Sequence, residues 1–165
     1  MTEKEIKQRL QNIETRHIYT DELQERGIKD GLEYALLTNI SYQWSGKTSQ
    51  EYKEYKGLTK NDNLRDHMTR TEMILTGLSE EAGSEIVKSR DAQGFMQVQD
   101  ALVAGSDIAK KARQELEEKT GKTVLDTHNR LTPKQKISRK EALQQQNHSS
   151  KGFPPLKGRD SSSAE

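Results

Sequence analysis

Gly46-Lys47-Thr48 and Gly121-Lys122-Thr123 both carry the ending of a phosphate-binding loop, in which glycines let backbone amides wrap phosphates that a lysine then reaches. The complete pattern needs a further glycine five residues before the glycine of each Gly-Lys pair. Ser41 and Leu116 stand there instead, and no strand pattern precedes either one. The four histidines, His17, His67, His128 and His148, show neither paired helical spacing nor a nearby acidic ligand cluster, so no metal ligands are assigned. Asp66-His67 contains an acid beside a base, but adjacent residues diverge on a helix and no nucleophile is placed by the sequence. The runs Glu80-Glu81 and Glu115-x-Glu117-Glu118 read as solvated helix faces rather than a carboxylate pair in an aromatic-lined cleft. No catalytic residue and no cofactor is therefore assigned.

The basic residues offer binding chemistry. Lys53, Lys56, Lys60, Arg65 and Arg70 cluster in and beside a polar linker, next to Tyr52 and Tyr55, whose rings could stack on bases. Arg130, Lys134, Lys136, Arg139 and Lys140 follow one another with no acid between them, and Lys110, Lys111 and Arg113 add a third group. The first two groups are the candidate residues for binding a partner or a nucleic acid. With 27 basic against 26 acidic residues the net charge is only +1, so any phosphate contact has to come from a local patch rather than from the field of the whole molecule.

The elements that hold these residues are helical. Ile6, Leu10 and Ile13 fall on one stripe and predict a first helix over 2–16. Thr20-Asp21-Glu22 reads as the N-cap of a short second helix stopped at Gly27. Asp30 with Glu33 starts a third, whose face of Leu32, Leu36 and Ile40, flanked by Leu37 and Trp44, is expected at the centre of the core. Thr48-x-x-Glu51 and Thr69-x-x-Glu72 are full capping boxes, and the second leads into Met73, Leu75, Leu78, Ala82 and Ile86. Asp91-Ala-Gln-Gly-Phe95 turns into a helix that Gly105 is expected to end. Ser106 then caps a last helix with a small-residue face along Ile108, Ala109, Ala112 and Leu116, stopped at Thr120-Gly121. Only Thr123-Val124-Leu125 alternates like a strand.

The expected fold is all-α, a compact domain of short capped helices over 1–131 followed by a disordered polar and basic tail over 132–165, where there is too little to bury to offset ordering entropy. Hydrophobic residues make up 30% of the 165, well short of the roughly 45–50% apolar content of ordinary domains even with 11 glycines added. The core must be thin, and the helix edges around Met73 to Ile86 and Ile108 to Leu116 are expected to require a second copy or a partner to cover them. Absence of cysteine removes disulfides and thiolate sites and fits a reducing compartment. No apolar run approaches the roughly 20 residues that span a bilayer, and the N-terminus lacks a signal-peptide stretch, so a cytoplasmic protein without membrane contact is expected.

Leu37-Thr-Asn-Ile-Ser-Tyr42, Glu51-Tyr-Lys-Glu-Tyr-Lys-Gly57, Asn63-Leu-Arg-Asp-His-Met-Thr69 and Asp91-Ala-Gln-Gly-Phe95, in that order and spacing, resemble the C-terminal region of bacterial DNA-damage-inducible protein D, a region also seen in some phage antirepressor-like proteins. The resemblance covers about residues 20 to 125. In that family a helical region of this kind follows an N-terminal domain similar to those of baculovirus repeated ORF proteins, and the chain is read as beginning without it. The resemblance implies an SOS-type damage response or a phage setting, with no cofactor and no catalytic residue to carry over. The expected function is non-enzymatic and regulatory, through binding of a recombinase or repressor. Phage anti-defence activity falls in the same docking class, and direct DNA binding through the basic groups is the alternative. Arg65 and Arg70 are expected to matter for binding and little for stability.

Overall fold

The computed structural model of the protein describes residues 2–127. The expected tail, with Arg130, Lys134, Lys136, Arg139 and Lys140, lies outside them. Five α-helices follow in order: α1 over Glu3–Glu25, α2 over Gly31–Ile40, α3 over Ser49–Tyr55, α4 over Arg70–Arg90 and α5 over Gly94–Thr120. Short 3-10 turns at Gln43–Ser45 and Leu64–His67 separate α2 from α3 and α3 from α4. The fold is all-α, and no strand occurs among the described residues. Val124 and Leu125, read as strand-like, instead lie half-buried against the core as an irregular segment.

Both capping boxes form. The Thr48 and Thr69 hydroxyls each accept from the backbone N–H three residues on, and Glu51 and Glu72 return to the cap amides at 2.8 and 2.7 Å. Asp30 caps α2 through Leu32 and Glu33 N–H at 2.9 and 3.0 Å. Two expected breaks do not occur. Thr20 donates its hydroxyl back to His17 C=O at 3.0 Å, a bond made within a continuing helix, so the first two expected helices are one. Gly105 and Ser106 are buried in the middle of α5.

Gly105 is there because two backbones meet. A Cβ built on it would stand 2.3 Å from Gly83 N and 2.5 Å from Gly83 Cα, so α4 and α5 cross with no side chain between them. The two helices form an antiparallel hairpin about Asp91–Gln93, Asp91 taking the left-handed region at φ 48°. α1 runs parallel to α4, since Arg9, Arg16 and Arg26 meet Asp66, Glu80 and Asp91 in rising order.

The core has two centres along this scaffold. One joins Tyr19 and Leu23 of α1 to Leu37, Ile40, Val87, Val98 and Leu102. The other gathers Trp44, Tyr52, Leu64, Met68 and Met73 around Ala109. Trp44 and Tyr52 stack edge to face at 6.2 Å, and the indole N–H donates to Thr76 Oγ1 at 3.1 Å. Arg113 of α5 donates to Trp44 and Ser45 C=O at 3.2 and 2.8 Å, filling the carbonyls left open by that 3-10 turn. α2 differs from expectation: Leu37 and Ile40 are buried, whereas Leu32 and Leu36 face solvent, because a single helix packed on one side cannot bury so wide a stripe.

Candidate docking surface and its supporting charge network

The linker between α3 and α4 places its basic residues in two environments. Lys56 is the C-cap of α3, and its side chain is 0% exposed, paired at 2.9 Å with a Glu72 carboxylate that is equally buried. Burying two charges is unfavourable unless their remaining hydrogen-bonding capacity is met. Here the Thr69 and Asp126 N–H groups donate to Glu72, and the Lys56 ammonium donates to Asp126 C=O at 2.6 Å. The backbone of a single residue after α5, Asp126, thereby closes the pair, with Tyr55 Oη donating to Leu125 C=O at 3.3 Å beside it. Burial, reinforced by the negative Glu72, pushes the Tyr52 phenol far above its ordinary value, so it stays neutral.

Arg65 is drawn inward as well. Its guanidinium pairs with the fully buried Glu80 and donates to Tyr42 Oη at 3.1 Å, while Arg16 reaches the same Glu80 oxygen at 2.8 Å from α1. Burial disfavours the Arg65 charge and Glu80 more than offsets it, so its pKa is raised. This corrects two expectations. Lys56 has no ammonium to offer a partner, because Glu72 and Asp126 hold it, and Arg65 is an anchor of the fold because Glu80 would otherwise be left buried with one counterion.

The remaining linker candidates stay near the surface. Lys53 is half-buried and donates to Lys60 C=O at 3.0 Å, which brings these two lysines together, while Lys60 and Arg70 are exposed. Arg70, the first residue of α4, belongs to neither lysine's set of contacts. Sequence reasoning missed Glu72 and Glu80 as interior acids. The capping box fixed Glu72 at the helix start, but nothing local signalled that its partner would be a buried lysine.

Apolar side chains stand outside this network. Leu32 and Leu36 of α2 are 71% and 50% exposed, and Ile74 and Leu78 of α4, like Ile108 and Leu116 of α5, are open to solvent. Each of the first two pairs lies at i, i+4, hence side by side on one helix face. Among the described residues no three His, Cys, Asp or Glu side chains gather as metal ligands, and no helix is long and apolar enough to cross a membrane. An open depression beside Met96 has its two charged residues, Arg90 and Asp100, already paired at 2.8 Å.

No curated protein and no solved structure shows significant similarity to this chain. The family model described as the DinD C-terminal domain matches residues 2–148, taking in all five helices and the segment that closes the Lys56–Glu72 pair. On that match the chain belongs to the DinD C-terminal domain family.

Proposed function

We propose that this protein is a non-enzymatic, cytoplasmic regulator that docks on another protein of DNA metabolism, a recombinase or a repressor, and modulates it. The observation that carries the reading is the pairing of outward apolar side chains, Leu32 with Leu36 and Ile74 with Leu78, on a scaffold whose interior charges are satisfied among themselves. Paired apolar side chains at i, i+4 form a continuous patch of the kind a helix presents to a partner, unlike single exposed leucines. Membership in the DinD family supports a setting in DNA damage or phage biology. Anti-defence action would use the same docking logic.

Titration of the labelled protein against recombinase filaments and against phage repressors tests the proposal. Leu32→Asp with Leu36→Asp, or Ile74→Asp with Leu78→Asp, is expected to abolish binding while leaving the unfolding midpoint in place. Absence of binding to both classes would overturn it.

A second reading, direct nucleic-acid binding, is favoured by the adjacency of Lys53 and Lys60 with Arg70 also exposed. Three neutralised phosphates predict a log–log salt slope of about −2.7 on duplex DNA. A flat response would remove this reading.

A further inference from the structure

α1 wears its apolar and polar sides in the reverse of the usual order. In its second half Tyr19 and Leu23 point into the core, but the same inward stripe continued toward the N-terminus carries Arg16 and Asn12. These residues are fixed where they are. Arg16 pairs with buried Glu80 at 2.8 Å, Arg9 pairs with Asp66 at 2.7 Å, and Asn12 Oδ1 lies 3.3 Å from where a Cβ on Gly77 would be. Ile6, Leu10 and Ile13 are consequently turned roughly a third of a helical turn from that stripe, and they are 46%, 61% and 45% exposed. The polar contacts pin the apolar stripe outward.

We infer that this stripe is a self-docking surface, on which a second copy of the chain lays its own α1 antiparallel. The spacing 6, 10, 13, 17 alternates four and three residues, the seam along which two helices interlock side chains. With Leu10 set opposite Ile13 of the other copy, reversing one helix brings the same flank of both stripes side by side. That flank holds Lys7 and Glu14, both exposed and neither drawn into an ion pair among the described residues. Lys7 of each copy then faces Glu14 of the other, twice by symmetry, so the surface is complementary to itself as a two-fold contact requires. The opposite flank, Arg9 and Arg16, would be repulsive in the same arrangement, but both guanidinium groups are occupied by Asp66 and Glu80 of their own chain. Three apolar side chains are fewer than the about 800 Å² per partner of a stable complex requires, so the dimer is weak, with a Kd on the order of tens of micromolar.

Sedimentation of the full chain over a wide concentration range tests this. The expected record is a monomer that converts to dimer as concentration rises, and Leu10→Asp stays monomeric with an unchanged unfolding midpoint. Lys7→Glu alone or Glu14→Lys alone weakens the dimer by about tenfold, since each turns two attractive contacts into repulsive ones. The double exchange Lys7→Glu, Glu14→Lys restores it, and so does mixing the two single variants, in which every seven faces an opposite fourteen. A monomer at all concentrations, dimers indifferent to Leu10→Asp, or exchanges that fail to rescue each other would overturn the proposal. So would a chain that never dimerises but loses recombinase or repressor binding on Leu10→Asp, which would assign the stripe to a foreign partner. Because the docking proposal above is tested on α2 and α4, either can fail alone.

Discussion

Lys56→Met and Glu72→Gln separate the charge of the buried pair from its shape. Both side chains are 0% exposed and 2.9 Å apart, so removing either partner leaves an uncompensated ion in the interior. Glutamine keeps one acceptor oxygen for the Thr69 cap amide, but its amide nitrogen cannot accept from Asp126 N–H, so Glu72→Gln removes the charge together with one backbone hydrogen bond. Methionine nearly matches the lysine stem and leaves the Glu72 carboxylate with its Thr69 and Asp126 N–H donors but no counterion. Breaking a buried pair in this way costs about 3–5 kcal/mol, and at this chain length that lowers the unfolding midpoint by roughly 10–20 °C. The double variant Lys56→Met, Glu72→Gln carries no buried charge and is expected to be about as stable as either single one. Urea denaturation of the four proteins gives the coupling directly, with about 2 kcal/mol or more of non-additivity expected. Single variants within about 1 kcal/mol of wild type, or strict additivity, would refute the argument that the two charges are held dry and mutually dependent.

Arg65→Ala is expected to cost about 2–4 kcal/mol, because Glu80 stays buried with Arg16 as its remaining ion-pair partner, while exposed Arg70→Ala stays within about 0.5 kcal/mol; equal thermal shifts for the two would contradict this. Gly105→Ala drives a methyl into the Gly83 backbone and is expected to cost about 3 kcal/mol or more, whereas Gly83→Ala meets a side-chain end, Leu102 Cδ2, at 3.0 Å and costs about 1, an order that denaturant titration checks. The Tyr19 phenol, buried and beside the negative Glu80, and the Tyr52 phenol are both raised far above the ordinary value of 10. Stability tied to them is fully present below about pH 10 and is lost as pH rises further, because the unfolded chain releases these protons first. Replacing both by Phe should flatten the alkaline limb of the denaturation midpoint, and an unchanged slope would count against it.

What the sequence disclosed and what it hid follow from the reach of each interaction. The caps at Thr48 and Thr69 and the stop at Gly121 were legible because all their partners lie within a few residues. Gly105 was misread as a stop, since a glycine's backbone freedom and its lack of a side chain look alike locally, and the backbone it accommodates, Gly83, is on another helix. Thr20-Asp21-Glu22 has a cap's composition, but the packing of Tyr19 and Leu23 carries α1 through it. Lys56 and Arg65 read as binding candidates because charged residues are seldom buried without partners, and their partners, Glu72 and Glu80, become adjacent only on folding. At α1 the stripe of Ile6, Leu10 and Ile13 was evident, but periodicity locates an apolar face without saying whether that face turns inward.

The segment that closes the Lys56–Glu72 pair also orders the birth of the protein. Asp126 meets residues 70 and 54 positions earlier in the chain, so a ribosome will have finished α3, α4 and all of α5 before the residue that satisfies this pair exists. Until then the emerging chain must keep Lys56 and Glu72 wet, and the second core centre cannot set around them. The first centre, built on Tyr19, Leu37, Val87 and Leu102, is free of this dependence and is expected to consolidate first during synthesis. A chain whose Asp126 has not yet emerged from the ribosome therefore holds the Lys56–Glu72 pair open, and the emergence of that residue completes it in one closing step.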